Sequence, residues 1–382
     1  MLIAVALIVI VLGSVLFHFA SPWWTTPLAS NWQQMDDTLT ITLVVTGLFF
    51  FVITLFLAYV VLRYRHRDGH RAAYEPENKK LERWLIGITT VGIAALLAPG
   101  LAVYAQYVKA PGDALVLEVL GQQWQWRYRF PGEGGKLGLS DPRFVNASNP
   151  FGLDKTDPVG QGNILVNNNE VHLPLGRPVK VLLRSHDVLH DFYVPQFRAR
   201  MNMVPGMVTT FWFTPTKVGR YEVLCAQLCG VGHSNMRGAV VVEDAASFQT
   251  WLKEQPTFAV TLAAPAAGVA GATTGAGGAV AQGEALAQSK GCVACHTVDG
   301  SARVGPSWKG LYGKTETLKD GSTAQVDDAY LQSFIRDPQA RGVKGFPAVM
   351  PKIELSDEEL AALVAYIRSL GGQGAAEQKA QR

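Results

Sequence analysis

Two stretches leave this chain little freedom in how it folds. Residues 39–62 read LTITLVVTGLFFFVITLFLAYVVL without one charge, and residues 84–108 are again uncharged and mostly apolar. A helix needs about 20 apolar residues to cross the hydrocarbon core of a bilayer, and both runs are long enough. Pro99 and Gly100 in the second are tolerable where neighbouring helices re-satisfy the freed backbone groups. Residues 1–17 form a third apolar run. It lacks a basic leading region and a small-residue cleavage site, so a retained helix over about 1–20 is favoured over a cleaved signal peptide. SPWW (21–24) reads as an aromatic anchor at the membrane interface.

Loop charge orients these runs. Segment 21–38 has no Lys or Arg, whereas 63–83 has seven: Arg63, Arg65, Arg67, Arg71, Lys79, Lys80 and Arg83. Positive charge marks the cytoplasmic side, so everything after about residue 109 is expected outside, which in a bacterium is the periplasm of the inner membrane. The net charge of +3 gives no reason to expect nucleic acid as a partner.

The exported part begins with β-branched and aromatic runs at 114–130, 179–194, 208–213, 220–226 and 237–243, punctuated by Gly, Pro, Asn and Asp. Residues 131–163 are rich in turn formers and read as long loops. The expectation for 109–255 is an all-β sandwich or barrel.

Between two of those strands lies CAQLCGVGHSNM (225–236). Two thiols, an imidazole and a thioether fall in one tight loop, and its glycines permit a sharp turn. Soft sulfur with imidazole suits copper, and the thioether points away from structural zinc. A Cys225–Cys229 disulfide, stable in an oxidising periplasm, is the competing reading. The histidines upstream, His172, His186 and His190, cannot be ranked as ligands by spacing, and each read alone is a surface or strand-edge polar residue.

The loop resembles the dinuclear copper (CuA) loop of cytochrome c oxidase subunit II. The resemblance implies a cupredoxin-like domain in which Cys225 and Cys229 bridge two copper ions. His233 and Met236 are then terminal ligands, and Gln227 gives its backbone carbonyl. DVLH (187–190) matches the motif that supplies the second imidazole, which selects His190. GQQWQWRYRF (121–130) resembles the family's aromatic strand, with Trp124 where electrons come in. In KKLERW (79–84), Glu82 resembles a carboxylate at the cytoplasmic mouth of a proton path in the partner subunit. Gln227 departs from the family's frequent Glu, whose side chain helps bind Mg²⁺ or Mn²⁺ at the subunit interface. Hard cations prefer anionic oxygen, so that site is expected to be weak or absent.

Residues 256–282 are expected to be a linker, with low-complexity TLAAPAAGVAGATTGAGGAVAQ at 261–282 as a flexible tether. Beyond it, GCVACHTVDG (291–300) contains C-x-x-C-H, the attachment signature of a c-type haem. Cys292 and Cys295 would form the thioethers, and His296 would ligate iron. A thioredoxin-like C-x-x-C would need a βαβ context, which is missing. Met350, before Pro351, resembles the distal ligand of class I cytochromes c, and a His/Met pair suits electron transfer. VGPSWKGLYG (304–313) resembles the loop in which Pro306 supports the haem histidine. Ser356 and Glu359 make a capping box for a C-terminal helix, and Leu360, Leu363, Val364 and Ile367 line its core face.

The expected order is a multidomain membrane protein: helical anchor (1–108), all-β CuA domain (109–255), linker (256–282), all-α cytochrome c domain (283–372) and tail (373–382). It resembles subunit II of a caa-type haem–copper oxidase with a fused cytochrome c. That implies two copper ions, one covalent haem c, a haem–copper subunit I with other oxidase subunits as partners, and a donor such as a cytochrome c. Oxygen reduction and proton translocation would lie in the partner, because this chain lacks the histidine-bearing helices they need. A free-standing membrane-anchored electron carrier is the alternative. A copper chaperone would have no use for the haem.

Overall fold

The apolar runs are helical, and each helix outruns its uncharged stretch. The computed structural model describes residues 2–21, 26–71, 74, 76–146, 149–263, 276–301, 303–353 and 355–371. Helices α1 (Leu2–Ala20), α2 (Gln33–Arg63) and α3 (Lys79–Tyr107) are long and apolar enough to cross a membrane. The expected bounds of 39–62 and 84–108 are too short at the N-terminal ends. Polar residues ahead of each run continue the same helix, and the Asn78 side chain accepts from the Leu81 amide to cap α3. Pro99 lies inside α3 without ending it. Leu48, Phe56, Ile86 and Val91 are exposed on these helices, as a lipid-facing surface requires. The aromatic anchor at 22–24 and the tail from 372 fall outside the described residues.

Residues up to Lys109 form one compact unit with the turn Gln196–Arg198. Within it Arg198 donates to both carboxylate oxygens of Asp36, at 2.6 and 2.9 Å. Trp32 meets Tyr107 edge to face, with ring centroids 5.3 Å apart.

The second unit, Ala110–Pro195 with Ala199 onward, opens with a β-sandwich. Its strands are β1 (Leu115–Gln122), β2 (Gln125–Phe130), β3 (Ile164–Val166), β4 (Glu170–Pro174), β5 (Val179–Ser185), β6 (His190–Val194), β7 (Ala199–Met203), β8 (Thr209–Phe213), β9 (Gly219–Cys225) and β10 (Arg237–Glu243). They make two five-stranded sheets, ordered β3-β2-β1-β5-β8 and β4-β10-β9-β6-β7. The run expected at 114–130 is thus a hairpin turning at Gln123–Trp124, and that at 179–194 is two strands in different sheets. Trp126 and Phe192 meet between the sheets at 5.5 Å.

All six residues of β2 are buried, although they alternate aromatic with polar. The second face is covered by the 131–163 segment, which includes the one-turn helix α4 (Pro158–Gln161). That face holds charge: Arg129 pairs with Glu118, Glu118 with Arg184 at 3.3 Å, and Arg129 donates to Asn163 at 3.2 Å. Buried charges persist only when paired and hydrogen-bonded in this way. Beside them Leu120, Phe151, Leu153, Leu165 and Phe258 form a second apolar cluster. The segment read as long loops is therefore a folded cover.

Two helices, α5 (Ala245–Glu254) and α6 (Phe258–Ala263), follow the last strand of the expected all-β sandwich. Asp244 caps α5 by accepting from the amides of Ala246 and Ser247. Residues 256–258, expected in the linker, belong to the sandwich: the Leu165 amide donates to the Pro256 carbonyl and Phe258 is buried. Residues 264–275 of the expected tether lie outside the described residues.

The last domain holds α7 (Ala276–Ser289), the hairpin β11 (Thr315–Thr317) and β12 (Thr323–Gln325), α8 (Asp328–Arg336) and α9 (Asp357–Gly371). Helix α7 begins inside the low-complexity segment. The capping box forms: the Ser356 amide donates to Glu359 at 2.8 Å and the Glu359 amide to the Ser356 hydroxyl at 3.2 Å. Leu360, Leu363, Val364 and Ile367 are buried in the domain core. Helices α7 and α9 cross where Gly283 leaves room, since a Cβ there would lie 2.1 Å from the Ala362 carbonyl oxygen. We expect Gly283→Ala to loosen this crossing by about 1–3 kcal/mol through overpacking. Hydrogen exchange should then speed up in α7 and α9 and stay unchanged in β10.

Candidate functional site

Strand β9 ends at Cys225 and β10 starts at Arg237, so the intervening loop must reverse direction at one end of the sandwich. Reversal gathers its donors. The sulfurs of Cys225 and Cys229 are 3.7 Å apart, both cysteines are buried, and they are not bonded. A disulfide needs about 2.05 Å. Around them, His190 Nδ1 lies 3.9 Å from the Cys225 sulfur and the Gln227 carbonyl oxygen 3.2 Å from it. His233 Nδ1 and Met236 Sδ lie 3.6 and 3.9 Å from the Cys229 sulfur. Each candidate donor is thus within 4 Å of a cysteine sulfur. Among the described residues, His190, Cys225 and Cys229 are the His, Cys and carboxylate side chains gathered closely enough to hold a metal ion.

The fold brings one of the three upstream histidines to the cysteine loop. His190 begins β6, which pairs with β9 at Phe192–Cys225, and its ring is buried against Trp126. His172 instead bonds Glu243 at 2.8 Å and stacks on Trp251, while His186 is exposed in the turn ahead.

The two sulfurs share a proton unequally. Hydrogen bonding to Cys229 holds the Cys225 thiol well below the usual thiol range, and the same interaction holds the Cys229 proton well above it. Burial by itself would depress the His190 pKa, but bonds to Asp187 and Cys225 leave it raised. Two sulfurs, two imidazoles, a thioether and a carbonyl in a buried pocket suit copper.

Trp124 sits on this loop. Its indole Nε1 donates to the Cys229 carbonyl at 3.2 Å. A Cβ at Gly232 would lie 2.2 Å from the indole Cδ2, and Gly230 has φ +119° with Gln123 and Trp124 against it. Both loop glycines are therefore required by Trp124 as well as by the turn. Sequence reasoning missed this seat, and also missed Asp187, which accepts from His190 Nε2 at 2.8 Å. The DVLH spacing carried that signal, because a carboxylate three residues before a ligand histidine can reach its second nitrogen.

The other cysteine pair has different chemistry. Burial raises Cys292 to about 12 and raises Cys295 as well, so neither is a ready thiolate. Both line a cavity of about 480 Å³ with His296 and Met350, walled by Leu311, Ile353, Leu363 and Ile367. His296 Nδ1 donates to the Pro306 carbonyl at 2.8 Å, and burial lowers its pKa, so its Nε2 keeps a free lone pair. The ring stacks on Trp308 at 5.2 Å, over Gly305, where a Cβ would lie 2.6 Å from the imidazole. These features fit a haem held by two thioethers with His296 and Met350 facing it. Gln122–Gln125, Arg127, His186 and Asp187 of the sandwich also line this cavity. Glu82 is exposed in the first turn of α3, within the other unit.

The thiol pair predicts how copper loading depends on pH. Copper must displace the Cys229 proton, which is retained through neutral pH, whereas Cys225 has already lost its own. Apparent copper affinity of the metal-free chain should therefore rise about tenfold per pH unit. The dependence should steepen on the acid side, where His190 must also lose a proton. Chelator competition between pH 5.5 and 8 checks the slope.

Residues 115–245 match the family described as cytochrome c oxidase subunit II, periplasmic domain, and residues 280–371 match cytochrome c. The alternative cytochrome c oxidase subunit 2 of Bradyrhizobium diazoefficiens is 55% identical over 259 residues, 68% of this chain and 94% of the relative. Cytochrome c oxidase subunit 2 of Alkalihalophilus pseudofirmus is 24% identical over 359 residues, 90% and 89% of the two chains. The crystal structure of the periplasmic domain of a cytochrome oxidase subunit II from Bradyrhizobium japonicum is 26% identical, with a TM-score of 0.29, over 38% of this chain and 95% of that one. With apolar helices, a cupredoxin-like β domain and a cytochrome c domain in series, the chain belongs to the cytochrome c oxidase subunit II family.

Proposed function

We propose that this chain receives electrons for a terminal respiratory oxidase, through a covalent haem c and then a dinuclear copper centre, and passes them to a haem–copper subunit. The observation that carries the reading is the convergence of His190, Cys225, the Gln227 carbonyl, Cys229, His233 and Met236, in a chain that also carries a haem-attachment cavity. Haem c and paired copper supply one-electron transfer.

The chain's own residues do the rest. Cys292 and Cys295 would anchor the haem, and His296 and Met350 would be the ligands to its iron. His190, His233 and Met236 shape the copper pocket, and burial limits rearrangement when charge changes. Trp124 touches the copper loop and lines the haem cavity, which supports a role for it between the two sites. The anchor's basic 63–83 loop orients the two domains toward the periplasm of a bacterial inner membrane. Glu82 as the mouth of a proton path rests on the resemblance alone. With Gln at 227, a Mg²⁺ or Mn²⁺ site at the subunit interface lacks an anionic oxygen.

The reading is tested by rapid mixing of the oxidised full chain with one equivalent of a reduced donor. The haem band should be reduced first and then decay as the copper band bleaches. In Cys225→Ser the haem should take up the electron and keep it. Isolation from the membrane with a haem–copper core is expected. A chain that exchanges no electron between its sites, or that never associates with such a core, overturns the assignment in favour of a free-standing carrier.

A further inference from the structure

His190 is the one donor contributed from outside the copper loop. Its strand pairs with β9 only at Phe192–Cys225 and Tyr193–Leu224, so that ladder stops short of it. Pairing with Met203 on β7 fixes its backbone but does not choose which ring nitrogen faces the sulfurs. Three hydrogen bonds do. His190 Nε2 donates to Asp187 Oδ1 at 2.8 Å. The Gln123 amide donates to Asp187 Oδ2 at 2.8 Å. The Gln123 side-chain Nε2 donates to the Cys229 carbonyl at 2.8 Å.

Resting on the copper reading, we propose that Asp187 and Gln123 form a brace that holds the two halves of the copper site in register. Asp187 holds the proton on His190 Nε2 and so leaves the Nδ1 lone pair toward Cys225. Gln123 links that carboxylate to the cysteine loop across the sandwich end. Both are positioning residues, since neither supplies a donor to the metal. A ligand histidine whose second nitrogen donates to a carboxylate is more basic and fixed in orientation. It therefore favours the oxidised centre and lowers its reduction potential. The brace also lines the haem cavity, which places it on the side from which electrons would come.

The test uses the full chain, copper-loaded in detergent. Asp187→Asn keeps one acceptor oxygen and cannot serve both N–H groups. Gln123→Glu keeps the shape but cannot donate to the Cys229 carbonyl at neutral pH. Asp187→Asn should raise the copper potential, and both should change the nitrogen hyperfine coupling of one histidine and speed copper loss to a chelator about tenfold. Because both act through one brace, the double variant should be no worse than the worse single. Gln123→Glu reads the same brace if Asp187→Asn does not fold. Wild-type potential, coupling and copper retention in the folded variants, or additive losses in the double, overturn the brace while leaving the copper reading intact. A wild-type chain without a two-copper spectrum overturns both.

Discussion

Two unbonded sulfurs held 3.7 Å apart inside a protein are the feature around which the sandwich end is arranged. Their proximity forces them to share a proton, and burial leaves no water to solvate a second negative charge. A cation between them relieves that repulsion, which is why their neighbours are donors. The loop needs glycines because Trp124 lies on it, and the first hairpin must turn at Gln123–Trp124 to put Trp124 there.

The haem domain answers a different requirement with the same residue type. Burial keeps Cys292 and Cys295 as protonated thiols. His296 has its Nδ1 committed to Pro306, so only Nε2 remains for a metal. In both sites the ring nitrogen that faces away from the candidate metal donates a hydrogen bond that sets the tautomer, to a carboxylate for His190 and to a carbonyl for His296. Burial lowers the His296 pKa, whereas for His190 the bonds to Asp187 and Cys225 outweigh burial and leave it raised.

Much of this was legible in the sequence because it is local. The apolar runs, the C-x-x-C-H signature, the capping box at Ser356–Glu359 and the four donors at 225–236 all lie within a few helical turns or one loop. What could not be read was non-local or depended on a cover. His190 could be singled out over His172 and His186 only by resemblance, because strand pairing brings it to Cys225. The 131–163 segment has loop composition, yet its Asn163 and Phe151 close over buried charge. Helices α2 and α3 began early because polar residues continue a helix as readily as apolar ones once it is nucleated. Residues 256–258 read as linker because no sequence pattern marks Phe258 as a buried residue.

The central claim is that the loop 225–236 holds two copper ions as one electron-transfer unit. The most direct measurement is the EPR spectrum of the copper-loaded full chain with a metal count. Two coppers per chain and one unpaired electron shared equally between two nuclei are the result this account requires. One copper with a single-nucleus spectrum, or no copper with Cys225 and Cys229 oxidised to a disulfide, would contradict it.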